Sequence, residues 1–109
     1  MVFGGWEVYL MTYRVETMFG DYDVEVRKVK YYDGNLGIDL FEPGEGPFAR
    51  LTTNLCQKLP ENQAYLDTNN CPWAEEFVQE NKLGKPVGKF GFSGYCVYPL
   101  YEFDMGVIV

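Results

Sequence analysis

Histidine is absent from the 109 residues. That removes Ser–His and Cys–His nucleophilic pairs, which need an imidazole to take the proton. It also removes the commonest metal ligand. Cysteine is scarce: Cys56, Cys71 and Cys96 make three, an odd count without a CxxC pair. A disulfide framework and a zinc site are both disfavoured, and reduced thiols in a bacterial cytoplasm are expected. No apolar run approaches the length of a membrane span. The start, Met1-Val2-Phe3-Gly4-Gly5-Trp6, lacks the basic and apolar regions of a signal peptide. Basic residues are few, 9 against 16 acidic, for a net charge of −7. Such a charge repels phosphate backbones, so general nucleic-acid binding is not expected. It favours solubility and basic partners; acidity of this degree is also ordinary for a cytosolic protein.

Apolar side chains are plentiful. They make up 47% of the chain and aromatics 17%, too much for a disordered segment. The length fits one domain over residues 1–109, with residues 1–11 as an N-terminal extension or an extra strand. Alternation of period two marks half-buried antiparallel strands. Trp6, Val8 and Leu10 alternate with Glu7, Tyr9 and Met11, and the phase shifts before Tyr13, Val15 and Thr17. Gly20-Asp21 signals a turn. The next strand runs from about Tyr22 to Tyr32, and its parity change at Arg27-Lys28 predicts a β-bulge. Asp33-Gly34 predicts a tight hairpin into Leu36, Ile38 and Leu40. A turn over 42–47 leads to a fourth strand from Phe48 to Leu55.

One helix is signalled. Pro72 suits a first turn, with Asn70 or Cys71 as the cap. Trp73, Ala74, Phe77 and Val78 share one face, while Glu75, Glu76, Gln79 and Glu80 share the other. Gly84 ends the helix and Pro86 prevents its resumption. A Gly-rich loop with Gly84, Gly88, Gly91 and Gly94 follows. The last strand runs from about Tyr95 to Asp104, and Pro99 marks it as an edge strand or bulged. The expected fold is α+β: an antiparallel sheet of about five to six strands with one main helix packed on one face.

Few groups could carry chemistry. Cys71 near a helix N-terminus reads either as a reactive thiol or as a small core residue. Glu75 and Glu76 are adjacent, so they point about 100° apart and do not face each other across a substrate. No catalytic residue, metal or cofactor is expected, and the chain does not read as an enzyme. Two surfaces are candidates for a partner. Glu75, Glu76 and Glu80 form an acidic helix face, which reads as a docking patch for a basic protein or as solvated surface. Lys85, Lys89, Phe90 and Phe92 combine cations with rings. They read as a contact for a protein or nucleic-acid end, or as a surface loop kept soluble by lysines.

The segment from Leu59-Pro60-Glu61-Asn62 through Asn70-Cys71-Pro72-Trp73 to Phe77 is distinctive. So are Gly84-Lys85-Pro86, Ser93-Gly94-Tyr95-Cys96 and Tyr98-Pro99-Leu100-Tyr101-Glu102-Phe103. From about Tyr13 to Asp104 the chain resembles an uncharacterised bacterial family of small acidic proteins carried on plasmids, phages and conjugative elements. It is also similar to the Cas9-inhibiting, type II-A anti-CRISPR proteins. That resemblance implies a non-catalytic inhibitor whose partner is Cas9 or the Cas9–guide RNA complex. The alternative is a mobile-element accessory protein that binds another protein or a nucleic acid. The resemblance carries over no site residues, and the oligomeric state stays open.

Overall fold

The alternation around Val15 folds into strand β1 (Tyr13–Thr17), with Val15 buried between the exposed Arg14 and Glu16. A tight turn at Met18-Phe19 returns the chain into β2 (Gly20–Lys30), with Thr17 paired to Gly20. The turn therefore sits just before Gly20-Asp21. The N-terminal half of β2 pairs with β1, and its C-terminal half pairs on the other edge with β3 (Leu36–Glu42). Asp33-Gly34 forms the predicted tight turn: Tyr31 N donates to Asn35 O at 2.8 Å, and Gly34 takes a φ of 88°. A further turn leads to β4 (Gly46–Arg50). The structure, a computed structural model, describes residues 11–108. The alternation of Trp6, Val8 and Leu10 lies outside them, and Met11 belongs to no strand.

The predicted bulge at Arg27-Lys28 is absent. The β2–β3 register runs unbroken from Glu25↔Phe41 to Lys30↔Leu36. The apolar residues instead change faces along a regular strand. Val24 and Val26 enter the main core, while Val29 and Tyr31 lie over Gly37 on the other face. The bulge of this sheet falls between β3 and β4, at Leu40/Phe41.

The predicted fourth strand is two strands in two sheets. Leu51, fully buried, is the joint: its N–H reaches Ile38 O in the first sheet, and its carbonyl accepts from Asp67 N beside the second. Beyond it lie β5 (Thr52–Thr53) and β6 (Gln63–Leu66). The helix α1 (Ala74–Glu80) is only seven residues long and is preceded by a turn in which Cys71 N bonds to Asp67 O. Ala74, Phe77 and Val78 are buried, as their spacing predicts, but the residue before the first helical turn is Trp73 rather than Asn70 or Cys71.

The Gly-rich loop is in fact strand β7 (Gly84–Ser93), bulged between Pro86 and Phe90 where Gly88 takes a φ of 90°. It pairs with β8 (Cys96–Phe103). The order in the second sheet is β5-β6-β8-β7, so β8 is interior despite Pro99. Proline is tolerated because the β6 ladder stops at Tyr65↔Leu100, one residue short of it. The fold is thus α+β, with eight antiparallel strands in two four-stranded sheets and one short helix among the described residues. The expectation of five to six strands fell short because β5 and β6 are short and β7 reads as a loop. Both sheets and α1 feed one main core through Val15, Ile38, Leu40, Leu66, Phe77 and Tyr101. A smaller cluster of Tyr65, Tyr98 and Leu100 sits on the other face of the second sheet, covered by Leu55 and Leu59.

Candidate functional site

The acidic helix face is not the one the spacing suggests. Glu75 is held locally: the Tyr101 hydroxyl donates to its Oε1 at 2.7 Å, while Gln79 Nε2 donates to the same hydroxyl at 2.6 Å. Tyr101 is fully buried, and burial, with Glu75 second, pushes its phenol up to about 12. Glu75 therefore completes the polar end of a core side chain. Its place is taken by Glu16 from β1. The carboxylates of Glu16, Glu76 and Glu80 lie within 4.8 Å of one another, and all three residues are exposed. None of them joins an ion pair among the described residues. Partial desolvation, then Glu76, then Glu16, raise the Glu80 carboxyl above the ordinary glutamate range. The folded state thus favours the protonated form of Glu80. That contribution is complete below the ordinary range and is lost as pH rises through the raised value. At neutral pH the repulsion stands unrelieved.

The second candidate group also changes character. Lys85 lies 3.8 Å from Glu102 across the β7–β8 ladder, so it is partly compensated. Lys89 is exposed within the bulged stretch. Phe90 and Phe92 stand two residues apart on one face of β7, with 58% and 70% of their surface exposed. Register places Val97, 49% exposed, opposite Phe92 on that same face. Between the rings, Gly91 faces the other way, into the small cluster. A Cβ there would lie 2.4 Å from Leu55 Cδ1 and 2.8 Å from the Tyr65 ring. The group is therefore a strip on a strand that pairs only with β8 among the described residues. The sequence reading missed Val97 and Glu16. A two-residue turn at Gly94-Tyr95 would have placed Val97 against Phe92; Glu16 gives no local signal.

Cys71 is a core residue. Its thiol reaches Arg50 O at 3.6 Å, and burial, with Asp67 second, pushes it up to about 11. Cys56 is exposed. At pH 8, iodoacetamide should modify Cys56 of the native protein rapidly and Cys71 only on unfolding, since the thiolate is the reacting form. Peptide mapping of the alkylated protein reads this; equal labelling of both in the native state would reject the assignment.

Among the described residues no helix is long and apolar enough to cross a membrane, and no buried side-chain nitrogen or oxygen lacks a hydrogen-bond partner. What the fold offers is two exposed surfaces, one of clustered charge and one of rings, on an antiparallel two-sheet frame. The chain matches the family model DUF4313, a domain of unknown function, over residues 18–107, and it belongs to that family. No curated protein and no solved structure matches it.

Proposed function

We propose that the protein is a non-catalytic binding protein that docks its β1–α1 acidic face on a basic surface. The partner proposed is a type II CRISPR effector, Cas9 or its guide-RNA complex, met in the cytoplasm of a bacterial host. The observation that carries the docking reading is the gathering of Glu16, Glu76 and Glu80 within 4.8 Å on a chain of net charge −7. Like charges held this close oppose folding, and a basic partner converts that cost into attraction. A Cas9-type effector holds its nucleic acid in a positively charged channel. The resemblance to anti-CRISPR proteins supplies the identity of the partner. The alternative, an accessory protein of a mobile element that binds through Lys85, Lys89, Phe90 and Phe92, has less support because Glu102 partly compensates Lys85.

A cleavage assay with purified components tests the partner. With several Cas9 orthologues and a large excess of this protein, DNA cleavage by at least one should fall. Inhibition should weaken as salt is raised, because exposed charges act over only about 10 Å at 0.1 M ionic strength. Undiminished cleavage by every orthologue would reject Cas9 as the partner.

A further inference from the structure

Strand β7 is guarded along only half of its open edge. Its first half carries Lys85, Pro86, the bulge and Lys89, the devices by which natural sheets keep their edges from pairing. Its second half, Phe90-Gly91-Phe92-Ser93, has neither charge nor proline nor bulge. From Phe90 to Tyr101 the sequence contains no charged residue at all. On a chain of net charge −7, this uncharged stretch lets a second copy approach without facing like charges of its own.

The strip is also self-complementary. Antiparallel pairing of two β7 edges about a twofold axis at Gly91 puts Phe90 of each copy opposite Phe92 of the other. The four rings then form two cross-strand pairs side by side, with the Val97 of each copy beside its Phe92, and the open-edge backbone groups of the paired segments bond to each other. The pairing stops where Gly94 turns the chain and where the bulge begins. We infer that the protein self-associates through this segment, forming a twofold dimer with an eight-stranded sheet continuous across both copies.

The exposed parts of Phe90, Phe92 and Val97 amount to roughly 300 Å² per copy, taking about 200 Å² for a whole ring. The two copies together thus bury roughly 600 Å², short of the roughly 1,200 Å² or more, counted over both partners, of a stable interface. The dimer is therefore reversible, dissociating in roughly the micromolar to millimolar range.

Sedimentation velocity and light scattering of the full chain, from about 1 µM to about 1 mM, should show the mean mass rising with concentration from one chain toward two, fitting a monomer–dimer equilibrium. Growth beyond two, or one chain throughout, overturns the proposal. The strip is tested by two charge variants, Phe90→Lys/Phe92→Lys and Phe90→Glu/Phe92→Glu. Both positions are exposed, and circular dichroism checks that each variant stays folded. Each alone should be monomeric at every concentration. Mixed, they should form a one-to-one dimer, although both remain net negative. A dimer that survives in either variant alone, or a mixture that stays monomeric, rules out pairing through these residues. Neither result depends on Cas9.

Discussion

Tyr101→Ala should come close to unfolding the domain. The ring is fully buried where β8 meets α1, and it packs beside Phe103 with centroids 6.4 Å apart. Truncating a buried aromatic residue costs about 3–5 kcal/mol. A domain of this size has about 5–15 kcal/mol in all. At about 4–8 °C per kcal/mol, the melting temperature should drop by roughly 12–40 °C. Tyr101→Phe keeps the ring and removes only the hydroxyl. Glu75 and Gln79 are both exposed and can turn to water, so that change should cost about 1 kcal/mol. Trp73→Ala should fall between the two, since Trp73 is half-buried against Phe48 and Phe77. Calorimetry of the three variants gives the order; a mild Tyr101→Ala would mean the β8–α1 contact is not central to the core. In the folded state the neutral phenol is favoured up to about 12. Its contribution is complete below the ordinary tyrosine value of about 10 and is lost as pH rises through the raised one. Urea midpoints should therefore fall in strong alkali, and less so for Tyr101→Phe.

If Cas9 is the partner, as proposed, reversing Glu16, Glu76 and Glu80 to Lys should slow association with it about tenfold or more at low salt, because steering by charge acts chiefly on the on-rate. The fold should survive, since the three residues are exposed and in no ion pair among the described residues, and reversing all three charges leaves their mutual repulsion much as it was. Glu75→Gln should leave association nearly unchanged, as Glu75 serves Tyr101. Surface plasmon resonance across a salt series separates these outcomes. Equal on-rates for the triple variant and the unmodified protein would remove the acidic face from the interface.

Local signals proved readable where one short stretch decides the geometry. The buried helix face of Ala74, Phe77 and Val78, the Asp33-Gly34 turn and the alternation around Val15 are of this kind. Glycine misled where it served packing. Gly84, Gly88, Gly91 and Gly94 together resemble a loop, yet they do different things within one hairpin. At Gly84 a Cβ would lie 2.7 Å from the Glu102 carbonyl oxygen, whereas Gly88 permits the bulge and Gly94 the turn. Contacts between distant segments left no trace. The passage of the chain from one sheet to the other at Leu51 depends on Ile38 and Asp67, and the acidic cluster depends on β1 lying beside α1. Glu16 joins the acidic face through that contact, and Glu75 leaves it through another, its bond with Tyr101 of β8.

The strand order also divides the folding of this protein in time. The first sheet is a meander, each strand paired with the next in sequence, so its hairpins can close as soon as they leave the ribosome. The second cannot. Its β6 and β7 never touch each other as neighbours; both wait for β8, which slides between them. The first sheet can thus assemble during synthesis, while the second remains open until β8 has been made. Chain-separated pairing of that kind is the slow step in β-rich domains. Until β8 arrives, the edges of β6 and β7 that it will pair stand uncovered, and the nascent chain is then at its most prone to aggregate.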